Sequence, residues 1–137
     1  MSVRLFIVAV AAVGSLSAAM PAGAEPRSLD LSLDNAGERT LRCSMVIAHF
    51  MSDELGEIAP GERLMIALEG DNADGSLFVR SGDGRRKPIE NILCGASDDW
   101  AQTRGEVPLL PLRTSSSERA HMACHLEGRL RCIEMAP

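Results

Sequence analysis

The sequence has very few aromatic side chains. Its 137 residues include one Trp, three Phe and no Tyr. Beyond residue 24 the aromatic residues are Phe50, Phe78 and Trp100. Bases, sugars and flat cofactors are commonly bound by stacking on such rings. We therefore expect no bound cofactor and no ligand that needs an aromatic platform.

The sequence also lacks an excess of positive charge. It has 14 Lys and Arg against 19 Asp and Glu, which gives a formal net charge of −5 at pH 7. A protein of this charge has no general electrostatic attraction to nucleic acid or to anionic lipid. We therefore predict that its partners do not include nucleic acid.

Long apolar runs are confined to the first residues of the chain. Arg4 precedes an apolar stretch at residues 5–13, and the small residues 22–24 resemble a cleavage site. The apolar stretch is shorter than the roughly 20 apolar residues that a membrane-spanning helix needs. We predict a cleaved secretory signal at residues 1–24 and a single exported domain at residues 25–137, with no stable membrane insertion after cleavage. The alternative is a leader that is retained as an anchor.

Four cysteines lie in the predicted exported part, at Cys43, Cys94, Cys124 and Cys132. An even number of cysteines in a small exported domain indicates two disulfides, although three pairings are possible. If residues 127–129 form a turn, Leu126 faces Leu130 and the last two cysteines face each other across a hairpin. We therefore predict the Cys124–Cys132 bridge, and the remaining pair is then Cys43–Cys94. A two-residue turn would shift this register by one residue.

Alternating apolar and polar residues predict strands through most of the chain. Leu29, Leu31 and Leu33 alternate with polar residues, as expected of a half-buried strand. Residues 41–51 are predicted to form a second strand, which enters the core. The acidic segment 52–60 is predicted to be a loop because it contains Gly and Pro.

The second half of the chain continues this pattern. Residues 62–94 predict a three-stranded meander, and residues 96–106 look irregular. Residues 107–113 contain two prolines, which favours an edge strand or an extended segment. The cysteine hairpin follows. The whole pattern predicts an all-β fold: a small antiparallel β-sandwich or barrel of about six to eight short strands, stapled by two disulfides.

Histidines and methionines supply one alternative function. His49, His121 and His125, together with methionines, are the ligand types that copper or zinc takes, which would make this a metal-handling protein. On a strand, however, His121 and His125 point away from Cys124, and two such histidines lie about 13 Å apart. A metal site therefore remains the alternative interpretation.

No catalytic constellation stands out in the sequence, and we expect no enzymatic activity. Asp98 and Asp99 are adjacent carboxylates without an identifiable partner base. We predict a non-catalytic binding or accessory module for another envelope protein, located in the periplasm or outside the cell. An inhibitor of a secreted enzyme is a further alternative. The predicted recognition loops are residues 52–61, 70–75 and 82–87, and the candidate binding residues are Arg85, Arg86, Lys87 and Trp100.

Overall fold

The computed structural model describes residues 26–48 and 50–136. The predicted signal segment at residues 1–24 and the candidate ligand His49 lie outside the described residues. The described strands are β1 (Arg27–Asn35), β2 (Leu41–Ile47), β3 (Met51–Ile58), β4 (Arg63–Gly70), β5 (Leu77–Arg80), β6 (Arg86–Ala96), β7 (Gly105–Glu106), β8 (Arg119–Glu127) and β9 (Arg129–Glu134). Two short helices complete the fold, α1 (Trp100–Thr103) and α2 (Leu110–Thr114).

The strands form one sheet in the order β3-β2-β6-β5-β4-β1-β8-β9, with β7 added beside β6. Neighbouring strands are antiparallel, except that β1 runs parallel to β8. The long strand β6 connects the two halves of the sheet, because it pairs with both β2 and β5. Side chains from both halves pack into one core. The predicted small all-β fold is therefore confirmed, although the sheet is not closed into a barrel.

The core follows the period-two pattern of the sequence. On β1, Leu29, Leu31 and Leu33 are at most 1% exposed. On β2, the alternate residues from Leu41 to Ile47 are at most 2% exposed. Successive side chains of a strand point to opposite faces, so one set is buried while the other faces outward. The predicted half-buried pattern of β1 is correct, and β2 enters the core as predicted.

Both disulfides form as predicted. Cys43 on β2 lies directly opposite Cys94 on β6, with the two Cα atoms 4.1 Å apart. Cys124 on β8 lies directly opposite Cys132 on β9, and these Cα atoms are also 4.1 Å apart. Two disulfides indicate folding in an oxidising compartment. Neither of the two described helices is long and apolar enough to cross a membrane.

The predicted strand at residues 41–51 and the predicted loop at 52–60 are wrong in their boundaries. β2 ends at Ile47, and β3 occupies Met51–Ile58, where a loop was expected. Gly56 does not end the strand. It has a φ of +117° and lies opposite Cys43, at the point where the pairing of β2 with β3 shifts register between Cys43 and Ser44. A glycine with positive φ is typical of such a bulge. The acidic residues of β3 are consistent with an edge strand, where charge discourages further pairing.

The extended segment predicted at residues 107–113 is also wrong. Leu110–Thr114 form α2, and Pro111 lies in its first turn. Proline is accepted there because the first N–H groups of a helix have no partner within the helix. The irregular segment predicted at residues 96–106 contains α1 and the two-residue strand β7.

Candidate functional site

The turn between β2 and β3 carries a fully exposed aromatic ring. Phe50 is 100% exposed, and its φ of +65° is unusual for a residue other than glycine. Met51, which follows it, is 47% exposed. Positive φ in a bulky residue costs on the order of 1 kcal/mol and points to a role beyond folding. This turn therefore holds apolar surface in solvent at some conformational cost.

Three of the predicted binding residues lie beside this turn. A shallow groove of about 280 Å³ is lined by Ile47, Ala48, Met51, Arg85, Arg86, Lys87 and Pro88. The N–H of Ala48 donates a hydrogen bond to the carbonyl oxygen of Pro88, at 3.0 Å. This contact holds the turn against the start of β6. The basic residues and the exposed apolar residues thus form one corner of the molecule.

The three basic side chains have different surroundings. Arg85 is 81% exposed, and its Nε lies 2.6 Å from a carboxylate oxygen of Asp83. The guanidinium carbon of Arg86 lies 3.9 Å from the centre of the Phe78 ring, and its Nε lies 2.8 Å from Glu69 without the alignment of a hydrogen bond. Lys87 forms no ion pair with the carboxylates of residues 26–48 and 50–136. Arg85 and Lys87 are therefore better placed for contact with a partner than Arg86.

Trp100 lies elsewhere. It begins α1, and the guanidinium of Arg42 stands 5.5 Å from its ring centre. Arg42 is held in turn by Glu54, with 2.5 Å between Nη2 and Oε1. Arg42 and Ile47 are at opposite ends of β2, about 17 Å apart along the strand. The structure does not bring Trp100 together with the basic corner.

A second, larger groove lies on the outer face of β4, β1 and β8. It measures about 700 Å³ and is lined by Asp30, Ser32, Arg63, Met65, Ser115, Ser117, Arg119, Ala120, His121, Glu134 and Met135. At one side, Asp34 accepts hydrogen bonds from Arg63, at 2.5 and 2.9 Å, and its Oδ2 lies 2.7 Å from Nε2 of His121. The hydrogen bonds from Arg63, helped by His121, lower the pKa of Asp34 from 3.8 to about 2. This carboxylate is therefore ionised at any physiological pH.

His125, another of the predicted metal ligands, lies apart from His121. Nε2 of His125 lies 3.0 Å from Oε1 of Glu127, and this hydrogen bond lowers the pKa of Glu127. His121 and His125 lie on the same side of β8, about 13 Å apart along the strand, and each has its own carboxylate. Among residues 26–48 and 50–136, no group of three or more His, Cys, Asp or Glu side chains is arranged to hold a metal ion.

Sequence reasoning did not find the neighbours of His121. These neighbours are Asp34 on β1, Arg63 and Met65 on β4, and Met135 after β9. β1 lies beside His121 because it pairs in parallel with β8. A parallel pairing between distant segments leaves no local signal in the sequence.

Comparison of the chain with protein-family models, with curated proteins and with solved structures finds no match.

Proposed function

We propose that this protein is a small exported, non-catalytic binding module that docks on another envelope protein. The contact surface is the hairpin-tip surface, which consists of Phe50, Met51, Arg85 and Lys87. The observation that carries the proposal is the complete exposure of Phe50 at a strained position beside a basic corner. Strained backbone is retained where the surrounding structure or a function requires it.

Phe50 has the properties of an interface anchor. Burying an exposed phenylalanine in a partner's pocket is worth about 1.5–3 kcal/mol. Interfaces concentrate their binding energy in a few aromatic and arginine residues near the centre of the contact. The Cys43–Cys94 disulfide braces β2, which leads into the tip, against β6. Because little of this scaffold has to be ordered on binding, less of the contact energy is lost.

The charges of this corner define the chemistry of the partner. The chain as a whole is acidic, with a net charge of −5, whereas residues 85–87 are three consecutive cations, of which Arg85 and Lys87 are better placed to contact a partner. A partner that fits would offer an apolar pocket edged with carboxylates. Such complementarity raises the association rate and selects the orientation of docking. Inhibition of a secreted enzyme is one form that this docking can take.

The experiment compares capture of envelope proteins by the purified wild-type domain and by two variants. Phe50→Ser should reduce the captured partner at least tenfold, because the anchor is lost. Leu110→Ser is the matched control, since Leu110 is also an exposed apolar residue, at 69%, but lies on α2, away from the tip. A partner lost with Phe50→Ser and kept with Leu110→Ser supports the proposal.

Charge reversal tests the second half of the surface. The double change Arg85→Glu with Lys87→Glu should slow association, and added salt should slow the wild type in the same direction. The control is Arg129→Glu with Arg131→Glu, on the opposite edge strand β9. Equal capture by all variants would overturn the proposed docking surface.

The exported location rests on two features, the predicted signal at residues 1–24 and the two disulfides. Sequencing the N-terminus of protein recovered from the periplasm tests it. A mature chain that begins at Glu25 is the expected result; a chain that retains residues 1–24 would contradict cleavage of the signal, and absence of the protein from the periplasmic fraction would contradict the location.

A further inference from the structure

A row of side chains crosses the outer face of the sheet in the larger groove. Ser32 on β1 pairs with Met65 on β4 and with His121 on β8. The N–H of Met135 donates to the carbonyl oxygen of His121 at 2.8 Å, which places Met135 beside His121, just after β9. Directly paired residues point to the same face of a sheet. These four residues line the larger groove from one side to the other.

Ser32 forms the floor of the larger groove. It is small and only 7% exposed, whereas Met65 is 60% exposed and Met135 is 45% exposed. Met65 and His121 lie on either side of Ser32, two strand spacings or about 10 Å apart between backbones. The groove therefore has a low floor between longer side chains. Its volume of about 700 Å³ is within the range of pockets that hold a ligand.

The exposed methionines of this groove suit an aromatic ring. Thioether sulfur makes favourable contacts with aromatic rings, and the flexible methionine side chain adapts to the shape that enters. The chain itself holds such a ring in solvent. Phe50 is 100% exposed on the hairpin-tip surface, next to the exposed Met51.

The charges of the groove also suit the hairpin-tip surface. Asp30 and Glu134 line the groove, and neither forms an ion pair with a cation in the described part of the chain. Of the two arginines that line it, Arg63 is already paired with Asp34, and Arg119 lies directly opposite Asp30 on the neighbouring strand. The groove thus has two carboxylates without an ion pair against one such guanidinium, so an excess of negative charge is available to a cationic partner.

We propose that the hairpin-tip surface of one molecule docks in the larger groove of a second copy of this chain. Phe50 enters the groove over Ser32, and Arg85 and Lys87 meet the two carboxylates that have no ion pair. The contact is between molecules, because the hairpin-tip surface lies at the turn between β2 and β3, whereas the groove is on the outer face of β4, β1 and β8. In the sheet, β6, β5 and β4 separate β2 from β1.

This contact joins two different surfaces, so each copy in a pair keeps one of them unoccupied. Heterologous contacts of this kind continue into a ring or an open chain of molecules. The inference rests on the docking function proposed for the hairpin-tip surface and adds the identity of one partner. A second copy and an envelope protein then compete for Phe50.

Sedimentation velocity of the intact, disulfide-bonded protein over a hundredfold range of concentration tests the contact. The average mass of the wild type should rise with concentration and exceed that of a dimer. Phe50→Ser removes the ring, and Met65→Arg places a cation in the groove; each should weaken self-association at least tenfold. Both residues are exposed, so both variants keep their fold, which circular dichroism checks. Leu110→Ser, the control, should associate like the wild type.

A mixture of the two variants identifies the two surfaces. Phe50→Ser keeps the groove intact and Met65→Arg keeps the hairpin-tip surface intact, so the pair can form one contact and no second one. At concentrations where each variant alone is monomeric, we expect the equimolar mixture to contain a species with the mass of a dimer and nothing larger.

An exchange of charges tests the ion pairs. Arg85→Glu with Lys87→Glu should weaken self-association, as should Asp30→Lys with Glu134→Lys. Mixing these two double variants brings the reversed charges together, and the mixture should associate at least tenfold more strongly than either double variant alone.

Three outcomes would overturn the contact: a wild type that stays monomeric at every concentration, self-association that survives Phe50→Ser, and a mixture without the dimer. The docking function is tested separately by capture. A monomeric wild type that captures an envelope protein through Phe50 overturns only the contact between copies. Capture that does not depend on Phe50, together with a dimer in the mixture, overturns only docking on an envelope protein.

Discussion

Asn35 illustrates how single residues hold this fold together. Its side chain is 1% exposed at the end of β1. Nδ2 donates to the carbonyl oxygens of Arg39 and Ile58, both at 2.8 Å, and Oδ1 accepts from the N–H of Gly37 at 3.0 Å. One amide thus satisfies three backbone groups and ties the chain after β1 to the end of β3. A buried backbone group that loses its partner carries a free-energy cost.

Asn35→Ala should therefore lower the free energy of unfolding by about 2–3 kcal/mol. Urea unfolding at neutral pH measures the effect, with the slope of the transition unchanged. Asn72→Ala is the control, because its side chain only accepts an exposed hydrogen bond from Arg27. A loss of less than about 0.5 kcal/mol with Asn35→Ala would show that water replaces all three hydrogen bonds.

Asp34 makes the stability of the fold depend on pH. Because Arg63 and His121 lower its pKa from 3.8 to about 2, the folded state holds the ionised form more strongly than the unfolded chain does. The stabilisation is therefore complete above the unfolded pKa and is lost as the pH falls through the folded pKa. We expect the free energy of unfolding of the wild type to exceed that of Asp34→Asn by about 1–2 kcal/mol at pH 5, after allowance for solvent screening. At pH 2 the two free energies should be almost equal.

Urea unfolding at several pH values between 5 and 2 checks this expectation. Arg63→Gln removes the strongest partner of Asp34 and should flatten the same pH dependence. If Asp34→Asn and wild type lose stability in parallel over the whole range, the ion pair with Arg63 does not stabilise the fold.

At the scale of elements, the two disulfides differ in what they restrain. Cys43–Cys94 joins β2 to β6 over a sequence separation of 51, while Cys124–Cys132 joins the two strands of a hairpin over a separation of 8. Closing a longer loop removes more entropy from the unfolded chain. Replacing the first pair with alanines should cost about 4 kcal/mol and replacing the second about 2.5 kcal/mol. Equal losses in denaturant unfolding would contradict this entropic account.

The strands whose signals are local were predictable from the sequence. Alternation alone located β1 and its buried leucines, and the spacing of Leu126, Leu130 and the last cysteines gave the register of β8 with β9. β3 was missed because Gly56 forms a bulge within a strand. α2 was missed because Pro111 fits the first turn of a helix as well as an extended segment.

The two grooves were predictable to different degrees. The cations at residues 85–87 are consecutive, so the sequence displays them together. The row of Met65, His121 and Met135 depends on pairings between β4, β1 and β8 that no short segment encodes. The exposure of Phe50 was not predictable in this way, because the alternating pattern predicted a strand through residue 51. Its exposure follows from the turn after β2, which ends at Ile47.

For the molecule as a whole, the interior position of β1 in the sheet affects the rate of folding. This first strand lies between β4 and β8, and the pairing of Asp30 with Arg119 joins segments that are far apart in the chain. Pairings over such separations are slow to form, so refolding with the disulfides intact should take milliseconds to seconds. Stopped-flow refolding measures this rate.

A chain that ends at residue 117 tests the same dependence. It lacks β8 and β9, so β1 has an unpaired edge and the core loses Met122 and Leu130. We expect this fragment to be unfolded by circular dichroism and by the dispersion of its amide resonances. A folded fragment would show that β1 to β6 form an independent unit.

The pairing of the cysteines also bears on how the protein matures. The bridges join the first cysteine to the second and the third to the fourth, in their order along the chain. For a chain that crosses a membrane N-terminus first, an oxidant that links each newly arrived cysteine to the previous free one produces the native pattern directly. Such a chain would reach its final covalent state without a reshuffling catalyst.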